Sequence, residues 1–335
     1  MKKTFAILVA SACFANFSAT AADSNDSRPD AHAPVGVMRD HVHKKGEYML
    51  SYRYDFMRMK GSKMENNQIS PADVIAKDYH MAPLNMNMRM HMVGAMYGLT
   101  DELSLMAMGS FMSSNMKMVD SMNDGQTSKH EVEGFGDTSL TAMYGFFKER
   151  DRHAQFNLGV SIPTGGIKKE YHGQRVPYMM QLGSGSYELL PGLSYTGFKD
   201  SYSYGAQVNG QFRLNNNNAG YRLGDVYNTT AWVAKQLNES FSVSSRLNYT
   251  ITEQARGFDR VLNTEHSLMM SPTNNSAFTG GRRLDALAGV NFIVPSGALK
   301  GHRLALEGGV PVYQKVNGIQ MRNSYSVTFG WQKAF

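Results

Sequence analysis

The chain is nearly free of cysteine, since Cys13 is the only one among its 335 residues. Charged residues are also sparse, at 19% of the chain. No segment has the 18 or so consecutive apolar residues that a transmembrane helix requires. The part of the chain beyond Cys13 therefore cannot form disulfides, and a helical membrane span is excluded.

Catalytic and nucleic-acid signatures are missing as well. The sequence has no G-x-S-x-G elbow, no H-E-x-x-H pair and no glycine-rich loop that would hold a phosphate. The net charge of +6 is spread along the chain, without a basic run that alternates with aromatic residues. We therefore expect neither an enzyme nor a nucleic-acid-binding protein.

The first residues have the pattern of an export signal. A basic start at Lys2 and Lys3 precedes an apolar run over 5–17, and the small residues Ala19 and Ala21 follow. This order is typical of a secretory signal peptide, and the spacing places cleavage after Ala21. We expect residues 1–21 to be removed on export.

Residues 22–45 are polar and mixed, which predicts a flexible periplasmic lead-in. His32, His41 and His43 lie in this stretch. His41 and His43 either bind a metal ion or belong to a solvated segment, because two histidines alone make a weak site.

Residues 46–335 are rich in runs where apolar and polar residues alternate, which is typical of β-strands with one face in an apolar environment. Most of these runs exceed the usual strand length of five or six residues. The pattern predicts an all-β fold, a transmembrane antiparallel β-barrel of about 12 strands. The candidate strands are 46–60, 85–98, 103–118, 134–148, 153–164, 184–198, 201–215, 223–237, 240–255, 281–294, 302–314 and 320–335.

The connections between these strands alternate between long and short, as in bacterial outer-membrane barrels, where short turns face the periplasm. The last strand carries Tyr325, Val327, Phe329 and Trp331 on one face, and the chain ends in phase at Phe335. A C-terminal aromatic residue resembles the signal by which the barrel-insertion machinery recognises outer-membrane barrels. We expect a bacterial outer-membrane protein in contact with lipid.

Methionine is unusually concentrated, with 17 of the 24 methionines between Met38 and Met122. In the first and third strands, leucines and aromatic residues occupy the face expected to contact lipid. The methionines alternate with them and therefore point inward. The second strand depends on the turn after Leu99. A three-residue turn opposes Leu99 to Leu103 and places its methionines inside, whereas a two- or four-residue turn sends them to lipid. We favour the three-residue turn.

Inward methionines have two interpretations. Thioethers are soft ligands that suit Cu(I) and Ag(I), but methionine also makes an adaptable surface for apolar solutes. Polar residues of the lumen either line a water path or pair with one another. The candidate metal ligands are Met57, Met59, Met90, Met96, Met106, Met108 and Met112. The candidate lumen residues are Arg53, Asp55, Arg213, Arg246, Asp285, Arg303 and Glu307.

Three short motifs occur in order in the middle of the chain: G-F-G-D at 134–137, I-P-T-G-G at 162–166 and L-G-S-G-S-Y-E at 182–188. Together they resemble the outer-membrane family named for the meta-pathway of phenol degradation. The resemblance implies a barrel that passes small molecules, often apolar ones, and implies no catalytic residues. We expect a porin-like channel for small apolar molecules, or alternatively a barrel that binds a soft metal for efflux or resistance.

Overall fold

The computed structural model describes residues 27–335, so the expected signal peptide and its cleavage after Ala21 lie outside the described residues. Within 27–335, twelve long strands form one closed antiparallel barrel in sequence order, as the alternation predicts. The strands are β1 (Tyr48–Met64), β2 (Met81–Gly98), β3 (Leu103–Asp120), β4 (Gln126–Phe135 and Thr138–Glu149), β5 (Arg152–Ile162), β6 (Glu188–Lys199), β7 (Tyr202–Arg213), β8 (Val226–Gln236), β9 (Phe241–Thr252), β10 (Gly281–Ile293), β11 (Arg303–Val316) and β12 (Ile319–Ala334).

The barrel closes where β12 pairs with β1. At the end of this seam, Tyr48 and Phe335 exchange two backbone hydrogen bonds of 3.2 and 2.8 Å, and their rings stack at 4.9 Å. Closure leaves no open sheet edge in the wall, as lipid requires. The recognition of Phe335 by the insertion machinery stays a prediction.

Alternation along each strand separates an apolar outside from a polar or methionine-rich inside. In β7, Tyr204 and Val208 are exposed, whereas Ser203 and Gln207 are buried in the lumen. The same division holds in β11, where Leu306 faces out and Glu307 faces in. A belt of exposed apolar side chains on strands is costly in water and favourable against lipid.

The two rims of the barrel differ. The short-turn rim carries the connections 99–102, 150–151, 200–201, 237–240 and 294–302. The long-loop rim carries 65–80, 121–125, 163–187, 214–225 and 253–280, together with the tight turn 317–318. Its short helices are α1 (Pro71–Ile75) and α2 (Glu265–Met270). Over residues 27–335, no helix is long and apolar enough to cross a membrane.

β4 is longer than its alternation predicts. It begins at Gln126 rather than at 134, and it is interrupted at Gly136 and Asp137. The alternation predicts a loop over 119–133, because side chains on both faces of this stretch, such as His130 and Glu131, are polar. These residues extend the wall beyond the apolar belt. Their outer face meets water, whereas on the inner face Val132 is buried and His130 stacks on Tyr171 of the loop 163–187.

The largest difference concerns residues 27–45, which do not form an open, flexible lead-in. They fold back into the lumen from the short-turn rim, and we call them the plug. Ala33 and Val37 bury their side chains against Trp232 of the wall. The apolar run around Val35 and Val37 is therefore the packed tip of a luminal segment, even though its flanks are polar.

Candidate functional site

Methionines line one side of the lumen. The turn from β2 to β3 has three residues, because the Leu99 N–H donates to the Leu103 carbonyl at 2.8 Å. The three-residue turn is thus confirmed, and it places Met90 opposite Met112 on the inner face. We call this surface the methionine wall. It comprises Met49, Met57, Met59, Met86, Met88, Met90, Met92, Met96, Met106, Met108, Met112, Met116 and Met118.

The seven methionines proposed as metal ligands divide among three levels of the lumen. Met57, Met59 and Met112 pack in a large apolar cluster near the long-loop rim. Met90 and Met108 line a cavity at mid-height, which Met112 also reaches. Met96 and Met106 belong to a cluster near the short-turn rim, with Met49 and Met143. The barrel therefore does not gather all seven into one site, but it does set Met90 against Met112 and Met96 against Met106.

The seven candidate lumen residues lie on the inner faces of their strands, and four of them form ion pairs. Glu307 receives two hydrogen bonds from Arg246, at 2.8 and 2.9 Å, and both side chains are more than nine-tenths buried. Arg213 pairs in the same way with Glu188 at 2.9 Å, a partner that the sequence reading missed. The remaining contacts are Asp285 with Arg283 at 2.8 Å, Asp55 with Thr328 at 2.7 Å, Arg53 with the Val37 carbonyl at 3.4 Å, and Arg303 with the Arg28 carbonyl at 2.9 Å.

Several of these polar groups hold the plug. Glu307 accepts a hydrogen bond from the Gly36 N–H at 2.9 Å, in addition to those from Arg246. On the other side of the plug, the Gln207 side chain donates to the Met38 carbonyl at 2.8 Å and Gln155 donates to the Arg39 carbonyl at 2.6 Å. The backbone of the plug is therefore tied to β5, β7 and β11 at mid-height.

The plug divides the lumen into two cavities. The outer cavity, of about 620 Å³, lies towards the long-loop rim and has the methionine wall on one side and Gln207, Asn209 and Asn228 on the other. The inner cavity, of about 350 Å³, opens at the short-turn rim. Between them, a gap of about 40 Å³ runs between the plug and Met92, Met96, Met106 and Met108.

The three family-like motifs meet at one point beneath the loop 163–187. The Asp137 carboxylate accepts hydrogen bonds from the N–H groups of Gly165 and Ser184, at 2.9 and 2.8 Å, and from the Ser184 hydroxyl. A Cβ on Gly183 would lie 2.8 Å from the Cα of Gly165, so the two loop ends need glycine to approach this closely. The motifs therefore anchor the loop, whose Val176, Met180 and Leu182 cover the methionines at the long-loop rim.

Three histidines of the plug meet at the inner cavity, although they lie up to 11 positions apart. The rings of His32 and His41 have centroids 4.0 Å apart, and His41 Nε2 lies 3.3 Å from His43 Nε2. Burial, together with the adjacent His41, holds the pKa of His32 well below its usual value. Burial alone would raise the pKa of Asp40, but its contact with His41 outweighs this and lowers the pKa below the usual range.

Comparison with solved structures finds similar chains. The COG4313 outer membrane channel from Pseudomonas putida F1 is similar with a TM-score of 0.60 and 12% identity, over 89% of this chain and 98% of that chain. The beta domain of the Bordetella autotransporter BrkA has a TM-score of 0.44 and 12% identity, over 87% of this chain and 100% of that domain. The KdgM porin has a TM-score of 0.42 and 8% identity, over 86% of this chain and 99% of the porin. Comparison with curated proteins gave no match.

At 12% identity, the similarity to the Pseudomonas channel shows a shared fold, which in this chain is a closed antiparallel barrel of twelve long strands. A family model described as "Putative MetA-pathway of phenol degradation" matches residues 96–307. This range holds all three motifs around Asp137 and more than half of the chain. The protein therefore belongs to the family described as the putative MetA-pathway of phenol degradation.

Proposed function

We propose that this barrel is an outer-membrane channel through which small apolar molecules pass along the methionine wall. The observation that carries the proposal is the continuity of that wall. Met90, Met92 and Met108 line the outer cavity, Met96 and Met106 line the gap, and the inner cavity begins at Met49. The family and the fold support a channel. The apolar side chains of the methionine wall favour an apolar solute.

Methionine suits such a path for a physical reason. Its side chain has three rotatable bonds and no polar group that demands a partner, so a solute can displace it at little cost. The opposite side of the outer cavity carries amide side chains, such as Asn209 and Asn228, that hydrogen-bond among themselves or with neighbours. An apolar solute therefore loses less by moving along the methionines than along the amides.

The gap sets a condition on passage. Its volume of about 40 Å³ has room for only a few water molecules, at roughly 10–15 Å³ each, so an aromatic ring cannot cross unless side chains or the plug move. Rotation of Met92 and Met106 widens the gap on one side. Displacement of the plug widens it on the other side and joins the two cavities.

A charge on the methionine wall is expected to block this path. In Met108→Lys, an ammonium group stands at the entrance of the gap, where a passing apolar solute would have to desolvate it. We expect uptake of a labelled uncharged monoaromatic by whole cells without other channels to fall roughly tenfold, which corresponds to a barrier increase of about 1.4 kcal/mol.

The matched control is Asn228→Lys, which adds the same charge to the amide side of the same cavity and should leave aromatic uptake close to that of the unsubstituted protein. If both variants lose uptake equally, the charge acts on the whole lumen and the methionine path is wrong. If neither changes it, the solute does not pass this cavity.

A second candidate function is the binding of Cu(I) or Ag(I) for efflux or resistance. The inward register favours it, because Met90 with Met112 and Met96 with Met106 form opposed thioether pairs that a soft cation accepts. Replacing Met90, Met106, Met108 and Met112 by Leu should abolish Cu(I) binding in a competition titration if this function holds, and should leave aromatic uptake almost unchanged. A matched Met122→Leu variant, in an exposed loop position, should bind as before. If the unsubstituted protein binds no more Cu(I) than the four-Leu variant, this second function is to be abandoned.

A further inference from the structure

The histidines of the plug come from both of its arms. His32 lies on the arm that enters the lumen, and His41 and His43 lie on the arm that returns to β1. All three line the inner cavity. His32, Asp40 and His41 each have one ligand atom within 4.8 Å of those of the other two. His43 lies next to this group, because its Nε2 is 3.3 Å from His41 Nε2.

The orientation of two of the three rings is set by a hydrogen bond at Nδ1, and the third has a carboxylate nearby. In His41 this atom lies 2.8 Å from Asp40 Oδ1, and in His32 it lies 2.8 Å from Gln332 Oε1. In His43 it lies 3.6 Å from Glu47 Oε2. The Asp40 and Gln332 oxygens only accept, so in His41 and His32 they favour a hydrogen on Nδ1 and leave Nε2 with the lone pair that a metal ion accepts. A carboxylate behind the Nδ1 of a ligating histidine is the usual arrangement of metal sites.

The distance between the two Nε2 atoms is one that a shared metal ion accepts. Zinc–imidazole bonds are about 2.0–2.1 Å long, so two nitrogens 3.3 Å apart subtend an angle of about 105–110° at a shared ion. This angle is close to tetrahedral. A single proton shared between the two nitrogens also fits this distance. Titration with a metal ion distinguishes these two possibilities.

We propose that His32, His41 and His43 bind a divalent transition-metal cation of the Zn²⁺ type at the short-turn end of the plug. Asp40 acts as a positioning residue, because its Oδ1 contacts His41 and its Oδ2 accepts the Ala33 N–H at 2.7 Å. The bound ion connects the two arms of the plug and fastens it as a closed loop. None of its ligands belongs to the methionine wall, although His41 lines the gap beside Met96 and Met106, and the site does not depend on which solute the channel carries.

Titration of the detergent-purified barrel with Zn²⁺, and with Co²⁺ as its spectroscopic substitute, tests the site. We expect one ion per chain and an intense visible Co²⁺ spectrum of tetrahedral type. His41→Ala and His43→Ala should each weaken binding by more than about 100-fold and remove that spectrum, whereas Asp40→Asn should weaken it by about 10- to 100-fold, as loss of an orienting carboxylate does.

Two matched controls keep the result specific to the plug. His266→Ala removes an exposed histidine of α2 and should bind like the unsubstituted protein, as should the four-Leu variant of the methionine wall. Circular dichroism of each variant reports whether the barrel has folded. An unsubstituted protein that gives no tetrahedral Co²⁺ spectrum, or one that binds no more Zn²⁺ than folded His41→Ala, would overturn the proposal in favour of a shared proton.

A second measurement follows the plug itself. Because the ion joins the two arms, Zn²⁺ should slow trypsin cleavage after Arg39 and Lys44 at least several-fold, and chelation should restore the rate. In His43→Ala the rate should not respond to Zn²⁺. A Zn²⁺ effect that persists in this variant would place the ion elsewhere.

Discussion

Closing a disulfide between positions 35 and 330 is expected to stop passage through the barrel. A Cβ built on Gly330 lies 3.7 Å from the Cβ of Val35, within the usual Cβ–Cβ range of disulfides. Without a cysteine after Cys13, Val35→Cys with Gly330→Cys introduces the only pair. Oxidation fixes the tip of the plug to β12 at the level of the gap.

With the tip fixed, the gap keeps its volume of about 40 Å³ and only methionine rotation can widen it. We expect monoaromatic uptake to fall at least about tenfold on oxidation, the change that a barrier increase of about 1.4 kcal/mol produces, and to recover on reduction. The reduced double variant and Val35→Cys alone, treated with the same oxidant, control for the added side chains, because the Cβ of Gly330→Cys alone would overlap the Val35 side chain. Full crosslinking with unchanged uptake would show that the plug does not gate the path.

The wall of the barrel was predictable because its information is local. Alternation along β7 or β11 reflects an apolar outside and a polar inside. The polarity of each residue therefore indicates which face of the wall it lies on. Even the phase of β2 followed from one turn, since opposed residues such as Leu99 and Leu103 must share a face. This level of structure needs no knowledge of what fills the lumen.

The plug was not predictable in the same way, because its burial depends on partners far along the chain. Gly36 meets Glu307, 271 positions later, and Arg28 meets Arg303, 275 positions later. Its polar composition resembles that of a disordered segment. The lumen, however, offers such a segment buried hydrogen-bond partners, so its backbone groups are satisfied without water.

Asp137 illustrates an intermediate case. The motif that contains it was visible in the sequence, but its role as the acceptor for both ends of the loop 163–187 required the fold. The histidines were also visible, as a weak pair at His41 and His43. The third, His32, joins them because the plug turns back on itself at 34–37, where the Val37 N–H donates to the Pro34 carbonyl at 2.8 Å. Proline and glycine are common turn residues, but they do not indicate that the two arms run close together inside a lumen.

The pair of Arg246 and Glu307 is where the wall and the plug depend on each other most. Glu307→Gln keeps an oxygen for the Gly36 N–H but removes the charge opposite Arg246, which is buried in the lumen. Removing one partner of a buried ion pair destabilises by about 3–5 kcal/mol, because the other charge is left uncompensated. We expect a loss of this size in the free energy of unfolding in urea. Glu253→Gln, at the exposed pair with Arg256, should cost at most about 1 kcal/mol.

A double variant separates the two roles of Glu307. Replacing both Arg246 and Glu307 by Leu removes the uncompensated charge, and such replacements are often neutral or stabilising, so most of the unfolding free energy should return. The Gly36 N–H nevertheless loses its acceptor, and the plug should loosen, with faster trypsin cleavage after Arg39 and higher conductance in planar bilayers. Recovery of both stability and slow cleavage would mean that packing of Ala33 and Val37 against Trp232 holds the plug without Glu307. Recovery of stability alone would show that the hydrogen bond between Gly36 and Glu307 holds the plug in the lumen.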